Sequence, residues 1–431
     1  MRILWLKSDL LLPLDKGGKL RTWHLLRHLA RRHEITYLAF ASPDEPREHI
    51  DGMREVATSV HVVRRSDPPK RSLRFYADAA LHLADPLPYA IGKYRSRAFA
   101  ERIQALLGER RFDLIVSDFI LPAVNLPRRL PCPAVVFTHN VEAEIWRRYT
   151  ETETGRIGRI LYGVQHGRML RFEGRTLARF DGVLAVSDAD RDTFERLYPG
   201  ATREPAHVIP TGVAAEFFAP APSSATSRSL VFTGSMDWLP NEDAMLFFCR
   251  DVLPLIRAAE PDVTLSIVGR APTPAVIRLG QTPGITVTGR VDDVRPYVTD
   301  AAVYVVPLRI GGGTRLKIFE AMAMGKSIVS TAVGAEGLPV RNHEHLLLAD
   351  KPRDFAAGVV QLMRDVDRRR SLETAARALV VERYDWSAVT GELEGALARF
   401  ARGRPGDARS SASLSLAAPR AQVGDAAICK R

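Results

Sequence analysis

The sequence predicts an α/β protein with two doubly wound parallel-sheet domains, and three features of the chain indicate it. Short apolar runs alternate with longer amphipathic segments, the runs fall into two series, and a linker-like segment separates the series. The runs are apolar throughout, which is typical of strands buried on both faces. The predicted strands are RILWL (2–6), ITYLAF (35–40), DLIV (113–116), AVVFT (134–138), GVLAV (182–186), LVFTG (230–234), VTLSIVG (263–269), ITVTG (285–289), AVYVVP (302–307) and SIVS (327–330).

Helical segments lie between these strands. In the first of them an apolar residue recurs every three or four positions from Leu20 to Ala30, which gives one apolar face. Strands that alternate with helices imply parallel sheets joined by right-handed crossovers. The break between the two series is small, polar and proline-rich, as linkers are. The predicted divisions are a first domain at 1–218, a linker at 219–229, a second domain within 230–385 and a disordered tail at 402–431.

Composition narrows the class of partner. The chain has 431 residues and a formal net charge of +11, which suits an anionic partner such as a nucleotide sugar, a nucleic acid or an anionic membrane. We expect no nucleic-acid partner, because the basic residues are not interleaved with aromatic residues in a recognisable binding module. Cys132, Cys249 and Cys429 are scattered without CxxC spacing or a histidine cluster, so we expect no metal site.

The same features bear on location. No stretch approaches the roughly 18 apolar residues of a membrane span. Lys7, Asp9 and Asp15 interrupt the early apolar run, and no small-residue cleavage site follows, which argues against a signal peptide. Scattered cysteines fit a reducing compartment. We expect a cytoplasmic protein, at most peripheral to the inner face of the plasma membrane.

Two glycine-rich turns lie where open parallel sheets bind ligands, beyond the carboxyl ends of strands. The first, at residues 15–19, contains Gly17 and Gly18 and opens the first helix. It is either a site of phosphate or substrate contact or an ordinary strand-to-helix loop. The second, at residues 311–317, starts another helix, and three basic residues beside it complete a predicted anion cradle. Those residues are Arg309, Arg315 and Lys317.

Two further side chains have open interpretations. Glu320 lies in the first turn of the second helix, where a carboxylate is favourable in any protein. It could instead accept hydrogen bonds from two adjacent hydroxyls, as on a ribose. His139 follows a strand in THNVE, where it is either a structural hydrogen-bonding group or a residue facing the cleft between the domains.

The order and spacing of these motifs resemble retaining glycosyltransferase family 4. The resemblance covers most of residues 1–400, and the motifs that carry it are DKGGKLRTWHLLRHLARRHEI, THNVEAEIW, AVSDADRDTF, HVIPTGV, TGSMDWLPNEDA, TGRVDDVRPYVTDAAVYVVPLRIGGGTRLKIFEAMAMGKSIVSTAVGAEGL and ERYDWSAVTGELEGAL. That family has the GT-B fold. The resemblance therefore implies two Rossmann-like domains facing across a cleft, with a helix at 386–401 returning to the first domain.

The resemblance also implies roles for individual residues. His139 and Gly18 match positions at the reacting centre, where the histidine contacts the donor sugar. The positions that match donor-binding ones are Gly17 at the diphosphate, Glu320 at the ribose, Gly313, Thr314, Arg315 and Leu316 in the turn that meets phosphate and sugar, and Arg290 and Val291 at the base. Arg309, Arg315 and Lys317 could supply positive charge to the diphosphate.

The implied function is retaining, metal-independent hexosyl transfer from a UDP- or GDP-sugar, which is a substrate and not a cofactor. The implied acceptor is a glycan or a lipid-linked sugar in cell-surface polysaccharide or glycolipid synthesis. Two positions depart from the family. Gly312 replaces the first glutamate of E-x7-E, and 234–238 lacks the usual Arg and Lys. One alternative is a nucleotide-sugar epimerase, although the sequence has no convincing set of acid and base side chains for it. The other is a non-catalytic nucleotide-sugar-binding subunit, which only the Gly312 departure favours.

A dense basic stretch at 147–179 follows the histidine motif. It predicts either ordinary surface helices or a face that docks on an anionic membrane. Its arginines are Arg147, Arg148, Arg156, Arg159, Arg168, Arg171, Arg175 and Arg179, and its interleaved apolar residues are Ile157, Ile160, Leu161, Val164, Met169 and Phe172.

Overall fold

Two parallel β-sheets organise the chain, as the apolar runs predict. The computed structural model describes residues 1–14, 17–66, 85–153, 155–202, 204–221, 228–310 and 316–402. One sheet has seven strands in the order β3-β2-β1-β4-β5-β6-β7, and the other has six in the order β10-β9-β8-β11-β12-β13. Each order reverses once, beside β1 and beside β8, and ligands of doubly wound sheets bind at such switch points.

The strands of the first sheet are β1 (Arg2–Lys7), β2 (Glu34–Ala41), β3 (Ser59–Arg64), β4 (Leu114–Asp118), β5 (Ala134–Phe137), β6 (Gly182–Ala185) and β7 (His207–Val208). Those of the second sheet are β8 (Ser229–Thr233), β9 (Thr264–Val268), β10 (Ile285–Gly289), β11 (Val303–Val306), β12 (Ile328–Ser330) and β13 (Leu347–Leu348). The apolar runs predict all of them except β3, β7 and β13. The central strands are buried along almost their whole length, because helices cover both faces of each sheet.

Helices connect the strands. Those of the first half are α1 (Gly17–Leu29), α2 (Arg47–Gly52), α3 (Tyr89–Gly92), α4 (Arg97–Glu109), α5 (Glu142–Thr152), α6 (Arg156–Leu177) and α7 (Asp188–Leu197), with 3₁₀ turns at Met53–Glu55 and Leu121–Asn125. Those of the second half are α8 (Leu239–Phe247), α9 (Leu253–Ala259), α10 (Pro274–Leu279), α11 (Arg295–Asp300), α12 (Leu316–Ala323), α13 (Pro352–Arg364), α14 (Val366–Arg383) and α15 (Trp386–Arg402), and one π turn, Phe248–Val252, joins α8 to α9.

The last helix, α15, packs on the first sheet. Its buried residues Trp386, Val389 and Leu393 belong to the same apolar core as β1 and α1. A Cβ on Gly212 would lie 2.5 Å from the Trp386 ring. Glycine at this position therefore lets the chain that leaves the first domain approach α15 closely. The chain thus returns to the first domain after completing the second sheet.

Parts of two predicted segments lie outside the described residues. Residues 222–227 of the predicted linker and 403–431 of the predicted tail lie outside the described residues. The last helix ends at Arg402.

Candidate functional site

Two charged side chains stand at the switch point of the first sheet. Lys7 ends β1 and Asp118 ends β4, and these strands are neighbours in the sheet. Both side chains are almost completely buried, and Lys7 Nζ lies 2.9 Å from Asp118 Oδ2. Burial of charge is costly unless the charges are paired, so each requires the other.

Asp118 accepts bonds from several donors at one oxygen. Its Oδ2 receives the indole N–H of Trp5 at 3.1 Å and the hydroxyl of Thr22 at 2.6 Å, in addition to Lys7. Burial alone would raise the pKa of Asp118, but Lys7 and His139 beside it hold that pKa well below its ordinary value. The carboxylate is therefore ionised at neutral pH.

His139 lies on the other oxygen of Asp118. Its Nε2 is 2.9 Å from Asp118 Oδ1, and its ring stacks on Phe119 with centroids 4.1 Å apart. Burial lowers the pKa of His139 to about 4, although Asp118 works in the opposite direction. Gly18, at the start of α1, lies against the pair, since a Cβ there would be 3.4 Å from Phe119 and 3.7 Å from His139 Nδ1. The structure thus brings together the two residues predicted at the reacting centre.

A buried glutamate braces the segment that carries His139. The Glu173 carboxylate of α6 accepts the backbone N–H groups of Glu142 and Ala143, the first residues of α5. It also accepts the hydroxyl of Tyr198 at 2.6 Å. A carboxylate at a helix N-terminus satisfies donors that have no partner within the helix. Glu173 therefore fixes α5 directly after the histidine motif.

A cleft of about 660 Å³ opens between the two halves of the chain. One wall is the basic face of α1, which presents Arg21, His24, Arg27 and others, and the opposite wall includes Glu320 of α12. Buried Arg21 donates to the carbonyls of residues 209 and 210, while its Nε has no hydrogen-bond partner in the described part of the chain. This wall favours an anion.

Glu320 is one of the residues that line that cleft. No residue that the structure describes makes a hydrogen bond to its side chain. Burial raises the pKa of Glu320 to about 7, and Lys317 offsets only part of the effect. An unpaired acidic group in a cleft is a strong candidate for ligand contact.

The switch point of the second sheet carries two cations. Gly234 follows β8, and a Cβ there would lie 2.8 Å from Lys317 Nζ, so a side chain at this position would displace the lysine. Lys317 donates to Asn241 at 2.9 Å, and Arg270 donates to the hydroxyl of Ser235 at 2.8 Å. The two cations therefore flank the turn in which the family's usual Arg and Lys are missing.

The remaining predicted donor-binding residues fall in three groups. Gly313, Thr314 and Arg315 lie outside the described residues, as do Asp15 and Lys16 of the first glycine turn. Leu316 lines the cleft, and Gly17 begins α1. Arg290, which is exposed, and Val291, which packs against the second core, follow β10.

Arg309 has a different environment from the predicted one. Its guanidinium forms a two-bond ion pair with Asp243 and lies 4.6 Å from the centre of the Phe247 ring. A phosphate contact would require this pair to open. The phosphate role of Arg309 stays a prediction.

Sequence reasoning missed Lys7, Thr22, Asp118 and Arg270. A signal for Lys7 and Asp118 was present, because each is a charged residue at the carboxyl end of an apolar strand. Arg270 likewise follows a strand and a glycine. Thr22 gave no signal, since a threonine inside a helix is common.

The basic stretch 147–179 forms the antiparallel pair α5 and α6. Met169 is fully buried and Phe172 packs against the same small core, so the second half of α6 belongs to the domain. The first half exposes its apolar residues, with Ile157 77% and Ile160 67% accessible. Leu161, Val164 and Tyr149 are also exposed, and Trp146, Tyr149 and Tyr162 form an aromatic cluster beside them.

The arginines of this stretch differ in their contacts and in their exposure to solvent. Arg147 is paired with Glu144 and Glu151, and Arg179 donates to the carbonyls of residues 126 and 127. Arg156, Arg159, Arg171 and Arg175 are exposed. None of the described helices combines the length and apolar character needed to cross a bilayer. Among the same residues, no three His, Cys, Asp or Glu side chains are grouped as a metal site would need.

Two family models match the chain in succession. The model described as Glycosyltransferase Family 4 matches residues 16–217, and the one described as Glycosyl transferases group 1 matches residues 227–365. Among curated proteins, a phosphatidyl-myo-inositol mannosyltransferase of Mycobacterium leprae is 31% identical over 239 residues, which are 51% of this chain and 62% of that protein. An uncharacterized 44.6 kDa protein of the Klebsiella pneumoniae cps region is 23% identical over 36% of this chain and 42% of that protein. The chain thus matches less than two thirds of the length of either relative.

Solved structures share the whole architecture. Anabaena HepE in complex with UDP superposes with a TM-score of 0.65 at 17% identity, covering 92% of this chain and 100% of HepE. A sucrose-phosphate synthase of Thermosynechococcus elongatus gives a TM-score of 0.63 at 17% identity, covering 93% and 98% of the two chains. At these identities the likeness establishes the fold.

Proposed function

The chain belongs to the group 1, family 4 glycosyltransferases and has the GT-B fold, and we propose that it transfers a hexose with retention from a UDP- or GDP-sugar. The acceptor we propose is a glycan or a lipid-linked sugar in cell-surface polysaccharide or glycolipid synthesis. The observation that carries the proposal is the unpaired carboxylate of Glu320 in a cleft whose opposite wall is basic. A sugar nucleotide carries a ribose diol, which the carboxylate would accept, and a net negative charge, which the basic wall would attract.

In this proposal Glu320 accepts the two ribose hydroxyls, which fits its lack of any other hydrogen-bond partner among the described residues. Lys317, Arg270 and the N-terminus of α12 take the negative charge of the diphosphate. This charge grows as the bond to the sugar breaks, so these groups stabilise the leaving nucleotide without a metal. The roles of Gly17 and of Gly313, Thr314, Arg315 and Leu316 as backbone donors remain part of the proposal.

His139 and Gly18 lie at the sugar end of the proposed site. Gly18 has no side chain, so an acceptor could approach His139 over the start of α1. Retention without a protein nucleophile would proceed by departure and attack on one face of the sugar. The leaving phosphate would then take the proton of the acceptor hydroxyl.

A transfer assay tests the function directly. The protein is incubated with radiolabelled UDP- or GDP-hexoses and a bacterial lipid extract, and labelled product is separated from donor. We expect label in the lipid fraction, or in a glycan if an oligosaccharide acceptor is added. An altered sugar in the recovered nucleotide would instead indicate an epimerase. Donor binding without any product would indicate a non-catalytic subunit, as the Gly312 departure allows.

Removing the two cations should separate phosphate binding from base binding. Arg270→Gln with Lys317→Met should weaken nucleoside diphosphate binding at least about a hundredfold, because two bonds to a charged group are lost and each costs about 1.5–3 kcal/mol. Binding of the nucleoside should change little. Calorimetry of both ligands measures the difference, with exposed Arg278→Gln as the control. Equal weakening of nucleoside and diphosphate would show that another group holds the phosphates.

We further propose that the first half of α6 and the aromatic cluster that it forms with α5 dock on an anionic lipid surface. Exposed isoleucines beside arginines, with tryptophan and tyrosine nearby, match the composition of interfacial helices. The mannosyltransferase relative is named for a phosphatidylinositol acceptor, which is a lipid. Docking by this surface would bring lipid-linked acceptors to the cleft.

Vesicle sedimentation tests the surface. The protein should sediment with phosphatidylglycerol vesicles at low salt and not with phosphatidylcholine vesicles. Replacing Arg156, Arg159 and Arg168 with Gln should reduce partitioning by about a hundredfold, because each basic residue contributes roughly 1 kcal/mol at an anionic surface. Gln at Arg278, Arg353 and Arg370, on the second domain, should change nothing. Equal sedimentation with both vesicle types, or with neither, would contradict the docking surface.

A further inference from the structure

The buried contact between Asp118 and His139 has a consequence for the chemistry at the sugar end of the site. We propose that Asp118 is a positioning residue that holds His139 in the tautomer with the proton on Nε2, so that Nδ1 accepts a hydrogen bond at the Gly17–Gly18 turn. The use of that acceptor, to hold a sugar hydroxyl, rests on the proposed function. The tautomer itself does not.

The two oxygens of Asp118 have different surroundings. Trp5, Thr22 and Lys7 all reach Oδ2, at 3.1, 2.6 and 2.9 Å. An indole N–H and an ammonium can only donate, so this oxygen must accept. Oδ1 is left for His139 alone. Asp118 is therefore a carboxylate with one oxygen saturated and the other directed to the ring.

The contact with Asp118 determines which nitrogen of His139 carries the proton. Asp118 Oδ1 and His139 Nε2 lie 2.9 Å apart, both are buried, and neither has a well-aligned hydrogen-bond partner in the described part of the chain. Two lone pairs at this distance would repel each other in a medium of low dielectric. A proton on Nε2 removes the repulsion, and a small rotation of the ring completes the bond.

The charged groups around the His139 imidazole keep it neutral. Lys7 from β1 and Arg21 from α1 face His139 together with Asp118, so two cations oppose a second proton and one anion favours it. Burial adds to the cations and lowers the pKa of His139 to about 4. The ring is then neutral above about pH 5. With its single proton on Nε2, Nδ1 carries a free lone pair.

The Nδ1 atom of His139 lies near Gly18. It is the atom of His139 nearest to the position of a Cβ on Gly18, at 3.7 Å. Because Gly18 has no Cβ, no side chain of Gly18 lies between Nδ1 and the start of α1. A sugar hydroxyl arriving there could donate to it, whereas the other tautomer would present an N–H and prefer a hydroxyl oxygen. Asp118 would thus select which hydroxyl geometry is held.

Nitrogen NMR of protein labelled with ¹⁵N-histidine tests the tautomer without any substrate. The His139 signals, assigned by their loss in His139→Gln, should show a protonated Nε2 and an unprotonated Nδ1 from pH 6 to 8. In Asp118→Asn the amide oxygen must take the Oδ2 position, where three donors meet. The amide N–H₂ then faces Nε2, and the tautomer should invert. Exposed Asp192→Asn should leave the signals unchanged.

Each outcome decides the proposal. A proton on Nδ1 in the wild type, or an unchanged tautomer in Asp118→Asn, would overturn it. Where Asp118→Asn does not fold because Lys7 loses its partner, the same variant is made with Lys7→Met, since Trp5 and Thr22 still fix the amide oxygen. Should the tautomer be as expected while no nucleotide sugar is transferred, the proposed function fails and the assignment of Asp118 stands.

Discussion

Asp118→Ala should lower the free energy of unfolding by about 3–5 kcal/mol, the usual cost of removing one partner of a buried ion pair. Lys7 is 1% exposed and would keep the Thr22 hydroxyl at 3.0 Å and the Phe119 ring at 4.6 Å, neither of which carries a negative charge. Urea denaturation followed by circular dichroism measures the loss. Asp192→Ala, which breaks an exposed pair with Arg191, serves as the control and should cost less than about 1 kcal/mol.

A second substitution identifies the cause of that loss. Lys7→Met in the Asp118→Ala background should restore part of the stability, because it removes the stranded charge and keeps an unbranched side chain of similar length. A double variant as unstable as Asp118→Ala would mean that the hydrogen bonds of Trp5 and Thr22, and not the ion pair, account for the effect. Wild-type stability in Asp118→Ala would contradict the buried pair altogether.

Glu320→Ala should weaken nucleoside diphosphate binding about ten- to a hundredfold at pH 8, because the bonds from two ribose hydroxyls to a charged group are lost. In the wild type, affinity should fall as the pH drops below about 7, where the raised pKa of Glu320 leaves the carboxyl protonated before the nucleotide binds. Calorimetry at pH 6, 7 and 8 measures both effects. Glu320→Gln should bind weakly at every pH and show no such dependence.

Ionisation of Glu320 should strengthen nucleotide binding as the pH rises but lower the stability of the folded protein. The pKa of Glu320 is higher in the folded protein than the ordinary value of 4.5, so folding favours the protonated form. This contribution is complete below pH 4.5 and disappears as the pH rises through about 7. Glu320→Gln should therefore melt above the wild type at pH 8 and close to it at pH 5. Equal melting temperatures at pH 8 would mean that the carboxyl is better solvated than the structure indicates.

The fold was largely predictable because its central strands are buried on both faces and read as continuous apolar runs. The strand β3 is only half-buried along its length, so its run SVHVVR is interrupted by a histidine and an arginine. The strands β7 and β13 have two residues each and lie at the edges of the two sheets. They pair only with their neighbours β6 and β12. Strands of two residues are too short to show a hydrophobic pattern in the sequence.

The site was predictable only where a local motif marks it. Glycine turns and the residues next to them, such as Gly18, Glu320 and Lys317, stand out in the sequence. Contacts across the sheet do not, since Lys7 and Asp118 meet only because β1 and β4 become neighbours where the strand order reverses. The pairing of Arg309 with Asp243, 66 positions away, is likewise set by packing. In α6 apolar and basic residues are interspersed along the whole helix without a clear apolar face, so periodicity could not indicate that Met169 is buried while Ile157 is exposed.

In the proposed function a sugar nucleotide binds in the cleft with its ribose on Glu320. The most direct measurement is the melting temperature of wild-type protein and of Glu320→Ala with UDP-, GDP-, ADP- and dTDP-linked hexoses at pH 8. A ligand that binds only the folded state raises the melting temperature. We predict that a UDP- or GDP-hexose raises it for the wild type and that Glu320→Ala loses most of the rise. No rise with any of the four, or the same rise in Glu320→Ala, would contradict the account.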